Sequence, residues 1–502
     1  MNKRKITLLE LLAFAVVFTV VFTSCAGKER SESSNLELRY GFTTEPKTLD
    51  PLSMDNTADG RSILFNVFEG LVKPDTDGTF LPCIAESWAI EQGGLVYIFT
   101  LREGVRFHDG NVVNAQDVKF SLDTVIASGT APFTQIQEVI IQNSSEIKIV
   151  LETPDPNYLP YMTVGIVKAD NPDRERNVIG TGPFYIESYT PQRDLVLRKF
   201  EDYWQPDLPG LDTVTIVFFA NYETLMIAIR AGTIDGANLT GSLTAQLDQN
   251  NFDIFDSYSA AVQLLALNNA APHLNNILVR KALNYGIDVQ GIIDAAFFGS
   301  GTPSGSPVIP GLSAYYEPYL DYPYDPGNAR ALLAEAGYNE NNRFSLEIAV
   351  PSNYIMHVDT AQVIADQLER IGVNTTIRLV DWTTWLDDVY RARNYQATII
   401  SLDSSFISAG SFLSRYHSGS GSNFINYSSS DFDTVYDSLL TETAEGARNN
   451  LYREAQRIIT SDAASVFIQD IFFYKVFIKG AYEGIRNYPL YLTDFSSIRR
   501  IK

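Results

Sequence analysis

The sequence predicts an α/β fold built from more than one domain. Three observations carry this. The chain has 502 residues, more than one simple hydrophobic core accommodates. Hydrophobic residues make up 45% and charged residues 20%, the balance of a packed protein and too apolar for a disordered one. Beyond about residue 267, short β-rich segments alternate with longer helical ones, the rhythm of an α/β architecture.

In chain order, Leu36 to Tyr40 alternates apolar and polar residues and reads as a strand, after which Pro46 and Pro51 break the chain. Ser62 to Leu71 reads as a short apolar helix, ended by Gly70 and the turn Pro74-Asp75-Thr76-Asp77-Gly78. Val96 to Leu101 (VYIFTL) is β-branched and aromatic, hence a strand. Val105 to His108 reads as another, followed by the tight-turn pair Asp109-Gly110. Asn114 fits a helix N-cap with Asp117 at the third helical position and Val118, Leu122 and Val125 on one face. Glu146 to Leu151 alternates as a strand. Gly180-Thr181-Gly182-Pro183 marks a turn before the strands Phe184–Tyr189, Asp194–Lys199 and Val214–Phe219, and a helix over Tyr222–Ala231 ends at Gly232. Val262–Leu267 is a strand. Helices follow at Val279–Ile287, Asn328–Ala336 and Asp359–Ile371, with Gly372 suited to the left-handed position after the last. Strands Ser345–Val350, Asn374–Val380 and Ala397–Leu402 alternate with them. Val435–Leu440 and Leu451–Ile459 read as helices, and Ser465–Ile478 is β-rich. Composition shifts place boundaries near residues 180 and 267.

The N-terminus sets the compartment. Lys3, Arg4 and Lys5 precede the apolar run Leu11–Phe22, which spans about 18 Å as a helix, short of the roughly 30 Å hydrocarbon core. Residues 1–24 therefore read as a secretory signal peptide. Phe22-Thr23-Ser24-Cys25 resembles a bacterial lipobox, in which Cys25 becomes the lipidated first residue of the mature chain. Residues 25–35 read as a flexible tether. The expected location is extracytoplasmic, as a membrane-anchored lipoprotein on a periplasmic face or the outer face of the cell membrane. With Cys25 lipidated, Cys83 has no disulfide partner within the chain.

Charge narrows the partners. The 38 Lys and Arg against 60 Asp and Glu give a net charge of −22, which argues against nucleic acid and against a polybasic membrane face. Signs of catalysis are missing. The sequence has no G-x-S-x-G elbow, no H-E-x-x-H and no P-loop. His108, His273, His357 and His417 lack the spacing of metal ligands and read as turn or surface residues, so no metal and no cofactor is expected. Asp403 follows the apolar strand and opens a Ser-rich loop, where it either captures a cationic group or starts a turn. Trp382 and Trp385 share a side if their segment is helical, one suited to the core and the other to a pocket.

A series of segments runs through nearly the whole chain: Glu45-Pro46-Lys47-Thr48-Leu49-Asp50-Pro51, Phe68-Glu69-Gly70-Leu71-Val72, Ala85-Glu86-Ser87-Trp88 and Leu101-Arg102-Glu103-Gly104-Val105-Arg106-Phe107-His108-Asp109-Gly110. Further on come Gly180-Thr181-Gly182-Pro183-Phe184, Tyr203-Trp204, Ala231-Gly232-Thr233-Ile234-Asp235, Val279-Arg280-Lys281-Ala282-Leu283-Asn284 and Tyr324-Asp325-Pro326. In this order they together resemble one family, the extracytoplasmic solute-binding proteins of ABC transporters in the oligopeptide, dipeptide and nickel class. The resemblance implies a two-lobed periplasmic-binding-protein-like fold whose lobes close over a ligand by a hinge. Lobe I would comprise residues 36–67, 181–267 and 472–502, with 68–180 as an inserted subdomain, and lobe II residues 268–471. It implies a monomer that does no chemistry itself and hands its ligand to the permease subunits of an importer.

In peptide-binding members of this family, an Asp after the strand at Ala397–Leu402 takes the peptide's α-ammonium group. Counting back from Phe412 puts that position at Ser405, with Asp403 two residues earlier. The resemblance thus implies a ligand site at Trp382, Asp403, Ser404 and Ser405, with Thr44, Glu45 and Asn268 as further contributors. An oligopeptide is the expected ligand. A non-peptide solute such as an oligosaccharide is the alternative.

Overall fold

The computed structural model describes residues 36–317, 322–403, 406 and 408–501, with backbone alone at 258, 259 and 472. Cys25, the signal segment, and Ser404 and Ser405 lie outside the described residues. Seventeen strands organise the described residues. In the first half they are β1 (Glu37–Phe42), β2 (Val72–Pro74), β3 (Phe80–Pro82), β4 (Ala85–Glu91), β5 (Val96–Leu101), β6 (Ile136–Asn143), β7 (Glu146–Leu151), β8 (Phe184–Thr190), β9 (Asp194–Lys199), β10 (Thr213–Phe218) and β11 (Gly236–Thr240). The second half adds β12 (Phe252–Leu267), β13 (Thr302–Pro303), β14 (Ser345–Pro351), β15 (Asn374–Val380), β16 (Ala397–Asp403) and β17 (Ser465–Ile478), and two two-residue strands pair near the C-terminus.

One large sheet runs β15-β14-β16-β12-β17-β11-β1-β10-β9-β8, with β13 beside β17. The strands β15, β14 and β16 pair in parallel, as do β11, β1 and β10. Between these two parallel groups, β12 and β17 lie antiparallel along almost their whole lengths. Each therefore crosses from one half of the molecule to the other. At the crossing the β12–β17 register shifts between Tyr258 and Val262, and Ala260 adopts a φ of 62°, a left-handed conformation unusual for an alanine. The fold is a two-lobed α/β architecture, as expected from the sequence.

Period-two alternation explains why each half buries both faces of its sheet. In the β14–β16 half, Leu264, Ala266, Ala349, Ile400 and Phe467 face one core, while Leu265, Leu267, Ile348, Ile399 and Val466 face another. In the β1 half, Leu38, Tyr40 and Phe42 face the large core shared with the small sheet β4-β5-β7-β6, and Ala237 and Leu239 face the helix Tyr222–Arg230. The helix Ala115–Ala127 packs Val118, Leu122 and Val125 into the large core. Its start is the capping box expected from Asn114 and Asp117. Gly372 has a φ of 92° after the helix Ile355–Glu369, as its C-terminal position requires.

Several expected elements differ. The helix placed at Ser62–Leu71 runs Ala58–Phe65, because Thr57 caps it and Asn66 ends it. Val105–His108 is not a strand; only an isolated bridge joins Arg106 to Val112. Strand β12 begins ten residues before Val262. No helix among the described residues is long and apolar enough to cross a membrane.

Candidate functional site

A cavity of about 560 Å³ lies where the segment after β1, strand β2, residues 130–132 and 161–165, the tail segment 488–496 and the end of β16 converge. Its walls are aromatic: Phe65, Phe68, Phe80, Tyr161, Tyr203, Phe406, Tyr488 and Tyr491. The charged groups on it are Arg61, Glu69, Lys73, Asp403, Arg415 and Asp494.

One wall is assembled by buried side chains with full sets of partners. The buried Asp59 carboxylate accepts from Thr44 N, Thr44 Oγ1 (2.6 Å) and the Tyr491 hydroxyl (2.8 Å), and burial raises its pKa. Asn66 is wholly buried. Its Nδ2 donates to the carbonyls of Ser62 and Thr493, and its Oδ1 accepts from Phe495 N. These bonds pin the C-terminal tail to the helix Ala58–Phe65 and so bring Tyr488, Leu490, Tyr491 and Leu492 to the cavity. Lys475, 1% exposed, donates to the carbonyl of Arg486 at 2.6 Å and holds the turn before Tyr488; burial lowers its pKa to about 8. Glu69 accepts from the Tyr203 hydroxyl (2.7 Å) and from Trp204 Nε1 (3.0 Å). Burial raises its pKa, and the Arg102 guanidinium lies 4.3 Å from the Trp204 ring centroid. Cys83 is a buried free thiol beside Glu69 whose pKa burial raises.

The turn at Gly180–Pro183 abuts this wall. Gly180 N donates to His108 Nδ1, and His108 Nε2 lies 3.0 Å from the carbonyl of Gly182, so the ring is a neutral tether. Any side chain at Gly180 would meet the carbonyl oxygen of Val67 at 1.9 Å, which requires glycine there. The expectation of turn or surface histidines holds for His108, which sits in the turn closed by Gly110 N and the carbonyl of Phe107, and fails for His357, which is 4% exposed on a helix and bonded to Gln263. Burial lowers both pKa values to about 4.

The opposite wall is open. Asp403 ends β16, pairs with Ala261 and lines the cavity. Its carbonyl accepts from Arg415 Nη2 at 2.8 Å, while its exposed carboxylate has no hydrogen bond or ion pair among the described residues. Phe406 packs edge-on against Phe133 and Tyr161, at 5.9 and 5.1 Å between ring centroids.

The other candidates lie elsewhere. Trp382 stacks on Trp385 at 5.1 Å and 4°, and Trp385 is buried with its Nε1 donating to Thr398, so one ring is core and the other 37% exposed. Trp382 does not line the cavity. Thr44 is two hydrogen bonds removed from it, through Asp59 and Tyr491. Glu45 accepts from the Tyr189 hydroxyl and Gln192 N. Asn268 is 5% exposed and occupied by Arg393, Tyr395, Ala270 and Asn426, which makes it a structural joint. Sequence reasoning missed Asn66, Glu69 and the tail segment, whose signal is visible only once distant partners meet. Among the described residues, no group of three His, Cys, Asp or Glu side chains could hold a metal ion.

Comparison with known proteins adds a lineage to this geometry. The family described as Bacterial extracellular solute-binding proteins, family 5 Middle, matches residues 79–424. Heme-binding protein A of Haemophilus influenzae is 27% identical over 485 residues, 88% of each chain. The glutathione-binding protein GsiB of Salmonella typhimurium is 29% identical over 349 residues, 66% of this chain and 67% of that one. The periplasmic murein tripeptide binding protein MppA, in an unliganded open form, superposes with a TM-score of 0.85 at 20% identity, covering 94% of this chain and 98% of that one. These relatives are binding proteins, not enzymes. A match over more than half of the chain, on a two-lobed fold with a cavity walled from both sides, assigns the protein: it belongs to the family 5 bacterial extracellular solute-binding proteins, the ligand-capturing components of ABC importers.

Proposed function

We propose that the protein captures short oligopeptides in the cavity between its lobes and delivers them to a membrane permease. The observation that carries this is Asp403. Its carboxylate stands on the cavity wall without a partner among the described residues, while the other carboxylates there, Glu69 and Asp494, are engaged. An unpaired carboxylate at the mouth of an aromatic cleft suits an ammonium group, and Arg61, Lys73 and Arg415 supply cations for a carboxylate. The named ligands of two relatives, glutathione and a murein tripeptide, are peptides and support the same class. Lobe I is taken as residues 36–67, 181–267 and 472–502 with 68–180 inserted, and lobe II as 268–471. Trp382, Ser404 and Ser405 are taken as further ligand contacts. Cys25 would carry the lipid anchor that keeps the protein beside its permease.

Native mass spectrometry of the chain from Ala26, before and after partial denaturation, tests this. A released mass that fragments as peptide is expected. A released carbohydrate would replace the reading by the oligosaccharide one. Titration with the recovered peptide completes the test. Asp403→Asn should weaken its affinity roughly tenfold or more, and N-acetylation of the peptide should do the same. Unchanged affinity in both would remove Asp403 from ammonium capture.

A further inference from the structure

A second cavity, of about 310 Å³, shares Phe80 with the first as a lining residue. One side of it is built by Trp88 of β4 and by residues 156–160. The other is built by Tyr315, Ser408 and the start of the helix Glu445–Ser461. A partly buried polar joint spans the two sides. The Tyr452 hydroxyl donates to Asn157 Oδ1 at 2.9 Å, and Asn157 Nδ2 donates to the carbonyl of Leu439. Phe80 packs into the hydrophobic cores of both sides. The walls are therefore fixed before any ligand arrives.

Into this space reaches Arg448. Its guanidinium lines the cavity, is half-buried, and has no hydrogen bond or ion pair among the described residues. A partly desolvated guanidinium with five free donors is a poor structural element and a good receptor for a planar anion. The aromatic walls favour a flat, apolar body on that anion, and Tyr315 and Tyr452 already pack at 5.0 Å between centroids. Charge limits the anion. Glu445 shares the lining, and Asp155 lies near enough for Arg448 to lower its pKa against the rise from burial. Two acids beside one cation oppose a dianion such as phosphate more strongly than a single negative charge. The volume lies at the small end of the range for organic ligands.

We propose that this cavity is a separate binding site for an aromatic monocarboxylate, with Arg448 as its anion anchor. The site is independent of the peptide reading of the main cleft. A ligand there would bridge the region of residues 79–160 to the helix Glu445–Ser461 and so tie together two parts of the chain that the lobe division assigns to different lobes.

The test is calorimetric titration of the full-length protein with cinnamate, cinnamamide and inorganic phosphate, with ligand-observed NMR as a second readout. Saturable binding of cinnamate is expected, with cinnamamide and phosphate at least tenfold weaker. Arg448→Gln should lose at least tenfold in cinnamate affinity, Arg448→Lys less, and Lys73→Gln, which removes a cation of the main cleft, nothing. Equal binding of acid and amide by the wild-type protein would overturn the proposal without recourse to any variant, and so would an absence of saturable binding. Loss of cinnamate binding in Lys73→Gln would assign the cinnamate to the main cleft and overturn it as well.

Discussion

Two carboxylates face the same cavity from opposite walls, and they are built on opposite principles. Glu69 sits among groups that already occupy it: the Tyr203 hydroxyl, the Trp204 indole, and a buried thiol. Asp403 stands at the end of a strand, its backbone paired with Ala261 and bonded to Arg415 while its carboxylate has no partner among the described residues. The first wall is finished on folding; the second has a valence left over. The difference shows where a binding protein keeps its rigidity and where it keeps its recognition, since satisfied polar groups specify structure and unsatisfied exposed ones are available to a ligand.

The sharpest way to break the comparison is to remove Glu69. Glu69→Ala leaves the Tyr203 hydroxyl and the Trp204 indole N–H without an acceptor, and should cost about 3 kcal/mol of unfolding free energy in urea titrations. A loss under 1 kcal/mol would mean that the wall does not depend on it. The pH dependence adds a sign. Glu69 has its folded pKa raised above 4.5 by burial, so the folded state holds the proton more tightly than the unfolded chain. Its contribution declines as pH rises from about that ordinary value through the folded one. Wild-type protein should therefore lose stability relative to Glu69→Gln over that rise.

His108, beside the same wall, titrates in the opposite direction. Its folded pKa of about 4 lies below the ordinary 6.5, so the unfolded chain takes the proton first as pH falls. Stability contributed by the neutral ring is complete above about pH 6.5 and is lost on the way down to 4. The loss should be about 2 kcal/mol once partial solvent access to the ring is allowed for. Urea midpoints of wild type and His108→Gln between pH 7 and 4 measure it. Parallel curves would show that the Gly180–Gly182 tether does not require a neutral imidazole.

The same contrast explains what could be read from the sequence. Local devices were legible: the capping box of Asn114 and Asp117 is complete within four residues, and Gly372 marks a helix end by its own backbone. The strand expected over Ala397–Leu402 and the Asp403 that follows it were legible for the same reason, since an apolar run that stops on a charge is a local pattern; the observed strand takes in Asp403 as its last residue. The finished wall was not. Asn66 ends its helix because Thr493 and Phe495 claim its side chain from 427 and 429 residues away, and Glu69 meets Tyr203 and Trp204 across more than 130. Apolar weight alone carried the expected helix past Asn66 to Leu71. The early part of β12 carries Asp253 and Asp256, which hides a strand that its pairing with β17 makes certain.

Trp382 offers a smaller test of which surfaces are finished. Its ring lies parallel to Trp385, which is held by its bond to Thr398, and Tyr354 meets it edge-on at 5.6 Å. Trp382→Ala should lower stability by about 1 kcal/mol, the worth of one aromatic pair on a partly exposed ring, and change the near-ultraviolet circular dichroism. A larger loss would place Trp382 with the structural residues and not the recognition ones.

The smallest expected effect tests the open wall most directly. Asp403→Asn should change the unfolding free energy by less than about 0.5 kcal/mol, because no contact among the described residues uses the carboxylate. Arg415→Ala, which frees the carbonyl of the same residue, should cost about 1 kcal/mol. That order sets backbone and side chain of one residue against each other, the backbone holding β16 in place while the side chain stays available. If Asp403→Asn destabilised the empty protein as much as Arg415→Ala, the carboxylate would already be spent on the fold. The two walls would then be alike, and the ammonium partner proposed for Asp403 would have no vacancy to fill.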